Sequence, residues 1–184
     1  MTPSGQGGRF RVAAATIWGV LIALTLFTAP PPAPDTAELI GRLVSGKLEG
    51  VNLSLFALFN LMGVWPVAMM VALRNDAPWW KWLFLLASFV LGAFVLLPYF
   101  VIRPWFGPRV PDAEGSFITR VLSSVWMVRA IGVAGVCFGA LFFFGSLGEF
   151  GHLFRTQQFP YVMTLDFFAF TGAATLLGIE HARR

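Results

Sequence analysis

Residues 51–73 read VNLSLFALFNLMGVWPVAMMVAL, a stretch of 23 residues without a formal charge. At a rise of about 1.5 Å per residue, a helix of that length crosses the roughly 30 Å hydrocarbon core of a lipid bilayer. Predominantly apolar runs of similar length follow at 82–102, 124–147 and 160–179. We therefore expect an all-α fold in the form of an integral membrane helical bundle.

The composition of the whole chain points the same way. Hydrophobic residues make up 57% of the sequence and charged residues only 12%, whereas soluble domains carry about 25% charged residues. The formal net charge of +4 comes from Lys and Arg that stand singly near the ends of apolar runs, not in a patch with aromatic residues. Such residues anchor helices at lipid headgroups, so nucleic acid is not an expected partner.

The N-terminal part of the chain is expected to hold one more span and one surface helix. Residues 1–11 are mostly small or polar and should be flexible. The apolar run at 12–28 could belong to a secretory signal, but no small-x-small cleavage pattern precedes Pro30, so we expect a retained span. Residues 35–48 place apolar side chains at helical spacing behind Asp35 as an N-cap. This pattern predicts an amphipathic helix on the membrane surface, although a soluble partner could bind the same face.

Together these runs predict five spans and one interfacial helix in a single membrane domain over 12–184. The spans are about 12–28, 51–73, 82–102, 124–147 and 160–179. Five crossings would put the two termini on opposite sides, with segments 74–81 and 149–159 on the side of the N-terminus. The loop at 106–119 is rich in Gly and Pro and should be irregular. The side of the N-terminus would carry five Lys and Arg and the opposite side eight, which favours a cytoplasmic opposite side. Arg9 and Arg11 directly before the first span favour a cytoplasmic N-terminus, so the orientation stays open.

Asp166 is the strongest candidate for a functional residue. It lies about six residues into the fifth expected span, or roughly 9 Å from the side that holds the N-terminus. An ionised carboxylate at such a depth is costly and normally faces a bundle interior, a partner or water. Two interpretations stay open: a structural lock bonded by a neighbouring group, or a contact for a proton, cation or ligand. Arg155 is the expected charge partner, because Arg129 lies near the opposite side.

Three residues of the second span are further candidates for a polar site. Asn60 lies at mid-span, where an amide can hydrogen-bond to another helix and support packing. Pro66 is expected to kink the helix and to free the carbonyl one turn earlier. Trp65 lies deeper than the interfacial tryptophans and could share a half-polar pocket with Trp18 and Asp166.

The sequence predicts no catalytic, cofactor-binding or metal-binding residues. Glu149 and His152 have a spacing found in di-metal helical bundles, but the second copy and further carboxylates that such sites need are missing. The lone Cys137 lies in an apolar run and is expected to be a packing residue. Gly135 and Gly139 form a small-xxx-small pattern. We expect it to serve packing between helices of the same chain in preference to dimerisation.

Three segments resemble a family of small multi-pass membrane proteins that has no established activity. The family is associated with cyanobacteria, plastids and other bacteria. The segments are 57–66 (ALFNLMGVWP), 97–99 (LPY) and 163–167 (MTLDF), and the resemblance covers about 50–184. It implies a membrane fold and points to the polar and aromatic candidates named above, without any catalytic residue. One departure is Glu180-His181, where the family pattern implies an acidic pair.

The expected function is that of an accessory, scaffold or assembly subunit of a membrane complex. Short loops and the lack of a soluble catalytic domain in the sequence favour this reading. The alternative is a small ion- or proton-coupled transporter or channel-like protein that uses Asp166, with Asn60 lining its path. A membrane enzyme is less favoured because no acid–base pair is evident. Expected partners are the lipid bilayer and other membrane subunits or a second copy, in a cell inner membrane or thylakoid-type membrane.

Overall fold

The computed structural model describes residues 3–74, 76, 79–103 and 117–182, and all regular structure in these ranges is α-helical. The helices are α1 (Pro3–Phe27), α2 (Thr36–Ser45), α3 (Leu53–Leu73), α4 (Lys81–Leu91), α5 (Ala93–Ile102), α6 (Phe117–Leu122), α7 (Val125–Phe144), α8 (Leu147–Thr156) and α9 (Gln158–Ala182). The expected all-helical class is confirmed for the described residues. Four of these helices are long and apolar enough to cross a membrane, over Gly8–Phe27, Leu53–Leu73, Val125–Phe144 and Gln158–Ile179.

Side-chain contacts define the relative directions of the long helices. Thr28, directly after α1, hydrogen-bonds to Tyr161 near the start of α9 at 2.5 Å, so these two helices run antiparallel. Phe56 near the start of α3 packs against Phe138 late in α7, with ring centroids 6.5 Å apart, so this pair is antiparallel too. Helices α3 and α9 run parallel, because their early and middle turns pack in the same order. We call the end of the bundle where α1 begins end A and the opposite end end B.

The stretch 82–102 forms a helical hairpin instead of one continuous helix. Only Gly92 separates α4 from α5. The two helices lie antiparallel, since the Phe84 ring of α4 packs against the Tyr99 ring of α5 with centroids 5.6 Å apart. The prediction of a single span over 82–102 is therefore wrong. The helix breaks because the backbone conformation at Gly92 reverses the chain halfway along the apolar run.

The hairpin returns the chain to end A before α7 begins. Its last residue lies at that end because the Arg11 guanidinium of α1 donates to the Arg103 carbonyl at 3.4 Å. Helix α7 then runs from end A to end B, and α9 runs back to end A. The start of α1 and the end of α9 therefore lie at the same end. This corrects the expected separation of the termini and moves segment 149–159 to end B.

The core lies where the hairpin meets α1, α3 and α9. Helix α5 is the most enclosed element, and Leu96, Leu97, Tyr99 and Phe100 are each at most 1% exposed. Side chains of α1, α3 and α9 complete the same apolar cluster. The bundle is therefore built around a short hairpin helix, and the longer helices pack on it.

Helix α7 differs from what its glycines and cysteine predict. None of its residues is buried, and it packs chiefly against α3. A Cβ atom added at Gly135 or Gly139 would meet no heavy atom within 4 Å, so these glycines do not mediate internal helix contacts. Cys137 is exposed and is not a packing residue of the core. Both expectations for α7 are wrong, because the helix lies at the edge of the bundle.

The surface helix expected over 35–48 is present as α2. The Leu43 side chain of this helix is buried, and the helix ends at Gly46 in the left-handed conformation with φ +68°. Asp35 directly precedes the helix, but its side chain makes no capping hydrogen bond. Glu38 instead pairs with Arg42 one turn later at 2.6 Å. The helix was predictable from its periodicity, while the predicted cap was not formed.

Two helical segments occur where the sequence predicted irregular chain. Helix α1 extends back to Pro3, so the flexible segment expected over 1–11 is not observed for residues 3–11. Helix α8 occupies an expected loop, and the Ser146 hydroxyl caps it by accepting the Glu149 N–H at 3.3 Å. Most of the irregular loop expected at 106–119 lies outside the described residues.

Candidate functional site: the tip of the helical hairpin

The tip of the hairpin is a single residue, Gly92. Its backbone has φ +59° and ψ −140°, a region that is open to glycine and strained for other residues. A Cβ atom added there would overlap the carboxyl group of Asp166. Gly92 thus allows both the reversal of the chain and the close approach of α9.

Asp166 binds the start of α5 directly. Its Oδ1 accepts the Ala93 N–H at 2.7 Å, and the residue is only 4% exposed. The first amides of a helix lack intrahelical partners and carry a partial positive charge, which a carboxylate stabilises. Gly92 has no side chain that could cap α5. Asp166 therefore serves as the N-cap of α5, although it lies on α9.

Trp18 satisfies a second backbone group near the tip. Pro98 lies inside α5 and has no N–H, so the carbonyl one turn earlier, that of Phe94, has no intrahelical donor. The indole Nε1–H of Trp18 donates to this carbonyl at 3.1 Å. Side chains of α1 and α9 thus satisfy the backbone groups that the glycine turn and the proline leave open.

The site lies about halfway between the two ends of the bundle. Asp166 is eight residues from the start of α9, or about 12 Å from end B at helical rise. The hairpin tip is about 16 Å from Lys81 at end A by the same measure. The expected position of Asp166, roughly 9 Å from the N-terminal side, is corrected because α9 starts at the other end.

A cavity of about 360 Å³ opens beside the hairpin tip, between α3, α4 and α9. Most of its lining is apolar, with Phe59, Met62, Phe89 and Met163 among the lining side chains. Asp166 lines the cavity at the level of Gly92. The cavity therefore brings one buried carboxyl group together with an apolar wall, in a volume that suits a small molecule.

A polar network closes the base of the hairpin at end A. The Asp76 carboxylate accepts the Tyr99 hydroxyl at 2.6 Å and lies 3.2 Å from the Arg103 guanidinium. The Lys81 ammonium donates to the backbone carbonyls of Arg74 and Asp76, each at 2.5 Å. Burial lowers the pKa of Lys81 from its ordinary value, and the Asp76 carboxylate opposes this. These contacts tie the start of α4 to the end of α5.

The candidate residues of α3 do not join this site directly. Asn60 donates to the Phe56 carbonyl of its own helix at 2.8 Å and does not line the cavity. Trp65 packs against the Phe167 ring with centroids 6.4 Å apart. Pro66 is buried inside α3. Neither Trp18 nor Trp65 lines the cavity that Asp166 opens into.

Arg155 is not the charge partner of Asp166. It is exposed in the last turn of α8 at end B, whereas Asp166 is buried against the hairpin tip. The ion pairs found between described residues join Glu38 to Arg42 and Asp76 to Arg103. The Asp166 carboxylate is stabilised by backbone amides in place of a cation.

Glu149, considered above as half of a metal-like pair, has a structural contact in the described fold. Its Oε2 accepts the Asn52 side-chain amide at 2.8 Å. The Oδ1 of Asn52 in turn accepts the Ser54 and Leu55 amides at the start of α3. This network ties α8 to α3 at end B and explains the acidic residue without a metal.

Three residues of the site carry no clear signal in the sequence: Gly92, Ala93 and Asp76. Gly92 lies near the middle of the apolar run 82–102, and a glycine in that place could have signalled a break. Ala93 contributes its backbone N–H, a role that cannot be predicted from the type of its side chain. Asp76 lies just beyond the apolar run 51–73, where a charged residue signals no more than the end of a span.

Comparisons of the chain with protein-family models, with curated proteins and with solved structures find no match. The resemblance to a family of small multi-pass membrane proteins therefore stays a prediction. The chemistry of the site follows from its own geometry: a buried carboxyl group, a helix N-terminus and an apolar cavity at one level of the bundle.

Proposed function

We propose that the protein is an integral membrane protein whose hairpin enters the bilayer from end A and returns to end A. The length and apolar composition of the four long helices support this placement. So does α7, where Trp126, Val136, Phe143 and Phe144 are each at least 73% exposed. Irregular backbone inside a bilayer must be enclosed by protein. The hairpin tip meets this condition through Asp166 and Trp18.

We further propose that end A faces the cytoplasm. Among the described residues, end A carries seven Lys and Arg and end B carries three. Those of end A are Arg9, Arg11, Arg74, Lys81, Arg103, Arg120 and Arg129, and those of end B are Arg42, Lys47 and Arg155. Basic residues near membrane spans favour the cytoplasmic side.

The function that the geometry supports best is that of a small transporter-like protein that binds a proton or cation at Asp166. The carrying observation is that a buried carboxyl group at mid-depth meets the N-terminus of a half-length helix and opens into a cavity. Broken helices with ends at the membrane midplane are a common device of transporters. An ionisable side chain at that depth is costly and marks ion or proton pathways.

Proteoliposomes with a trapped pH-sensitive dye test this function. The purified parent should dissipate an imposed pH gradient or take up a cation, and Asp166→Asn should abolish this flux. Asn60→Ala is a matched control, because Asn60 bonds only its own helix and lies outside the cavity. Equal flux in the parent and Asp166→Asn, or none in a folded parent, would remove the proposal.

A second candidate is an accessory or assembly subunit of a membrane complex. The specific observation in its favour is α7, whose twenty residues include no buried one and whose Gly132, Gly135 and Gly139 leave open space. Such a surface allows close approach of another helix. The test is the native mass after extraction in mild detergent. A lone monomer without a copurifying protein would eliminate this candidate.

A further inference from the structure

The chemistry of the cavity limits what can pair with Asp166. Among the described residues of its lining, the only side-chain oxygens belong to Asp166 and Ser88. The Ser88 hydroxyl is already engaged, since it donates to the Leu85 carbonyl at 2.7 Å. Hard metal cations require six or more oxygen ligands, which the side chains of this lining do not supply. A bare inorganic ion would therefore find few side-chain ligands to replace its hydration shell.

The Asp166 carboxyl group also disfavours anions and can accept a further hydrogen bond from a ligand. Asp166 already occupies the N-terminus of α5, the position that would otherwise attract an anion. An ionised carboxylate offers about four acceptor positions, and the amides at the start of α5 use at most two of them. In the part of the chain that the structure describes, no cationic side chain lines the cavity. The site thus has one negative charge with acceptor positions left for a ligand.

The remaining lining suits an apolar molecule. The rings of Phe59, Phe89 and Phe159 line the cavity with Met62 and Met163. Aromatic faces attract cations and pack against hydrocarbon. A volume of about 360 Å³ holds a small organic molecule but not a lipid with two acyl chains.

We propose that the cavity binds a lipophilic amine: a small hydrocarbon body that carries one protonated amino group. The ammonium donates to the Asp166 carboxylate, and the hydrocarbon lies against the phenylalanine and methionine side chains. This inference rests on the proposed transporter-like function, because it names the class of cation that the same site takes.

The test uses three ligands of equal chain length: octylamine, octanol and octanoate. Saturation binding of tritiated octylamine to the full-length protein in detergent is measured, with the unlabelled compounds as competitors. The parent should bind saturably and prefer octylamine to the other two by about tenfold or more, because its hydrogen bond is charge-assisted. No saturable binding to the folded parent, or equal competition by all three, would overturn the inference.

Three variants locate the binding. Asp166→Asn keeps an acceptor for the Ala93 amide and should lose the preference for octylamine over octanol. Gly63→Phe should block binding, since Gly63 lines the cavity and a side chain there has open space. Gly132→Phe is its control on α7, equally open and away from the cavity, and should bind like the parent. An unchanged preference in Asp166→Asn, or unchanged affinity in Gly63→Phe, would refute the site.

The same protein in liposomes separates this inference from the proposed function. Saturable, Asp166-dependent octylamine binding without any flux supports the binding site and removes transport. Asp166-dependent proton flux without octylamine binding overturns the amine inference and leaves the transport proposal standing.

Discussion

The Asp166 carboxyl group caps a helix that begins 73 residues away along the chain. An N-cap acceptor usually belongs to the residue just before the helix, but that residue is Gly92. A cap from another helix joins two elements with one hydrogen bond. Its removal should therefore loosen both the hairpin tip and the packing of α9.

Two substitutions at Asp166 should separate capping from charge. Asp166→Ala leaves the buried Ala93 amide without an acceptor and should destabilise the protein by about 1–3 kcal/mol. Asp166→Asn retains a carbonyl acceptor and should lose less stability than Asp166→Ala. Reversible unfolding in mixed micelles measures the difference. Equal losses in the two variants would show that the hydrogen bond to α5 does not stabilise the fold.

Gly92 is expected to tolerate substitution poorly. Gly92→Ala adds a Cβ that overlaps the Asp166 carboxyl group, at a residue with positive φ. The variant should lose well over the roughly 1 kcal/mol that strained backbone alone costs. Gly139→Ala, which meets no atom within 4 Å, is the control and should be nearly neutral. Similar melting temperatures for both variants would contradict the hairpin tip described here.

At the scale of elements, the hairpin is held at its tip by Asp166 and at its base by Asp76. The tip and the base of the hairpin differ in chemistry, because the base contains a nearly buried ion pair in which the Arg103 side chain is 3% exposed. Removing one partner of such a pair leaves an uncompensated charge. The base should therefore be sensitive to substitution and little affected by salt.

Asp76→Ala should destabilise the protein by roughly 3–5 kcal/mol, because the Arg103 guanidinium and the Tyr99 hydroxyl lose their contacts with this carboxylate in a nearly buried setting. Glu38→Ala breaks the exposed pair with Arg42 on α2 and should cost no more than about 0.5 kcal/mol. Both variants can be compared by unfolding at low and high salt. A loss at Asp76 as small as that at Glu38 would mean that the hairpin base is not a stabilising contact.

The long helices were predictable from the sequence, and the hairpin was not. An apolar run such as 51–73 reveals itself because its length and lack of charge are properties of the residues alone. The run 82–102 is similarly long and apolar, and its composition does not reveal the positive φ angle of Gly92 that breaks the helix. The amphipathic pattern of α2 was also readable, whereas α8 was overlooked despite Ser146 and Glu149 in capping-box positions.

The candidate site was predictable only in part. Asp166 stands out because a carboxylate in an apolar run is conspicuous in any sequence. Its true partner is the backbone amide of Ala93, which has no side-chain signature. Arg155 was expected in that role because it precedes the fifth span at the end from which the depth of Asp166 is counted. It lies at that end in the fold too, but it is exposed there, whereas Asp166 is buried against the hairpin tip. The missed turn at Gly92 explains only why that end was assigned to the side of the N-terminus.

At the scale of the whole molecule, one half-length hairpin decides the topology. Four long helices and a hairpin that returns to its own end put the start of α1 and the end of α9 at the same end. Five full-length helices would separate them. The distribution of Lys and Arg between the ends then has a consistent meaning, because end A gathers most of the described basic residues.

The most direct test of this account places a reporter at each terminus of the full-length chain. A fluorescent protein that matures only in the cytoplasm and alkaline phosphatase, which is active only outside it, are fused in turn to either end. We predict fluorescence and no phosphatase activity for both termini. Reporters on opposite sides of the membrane would contradict the re-entrant hairpin, and with it the position assigned to Asp166.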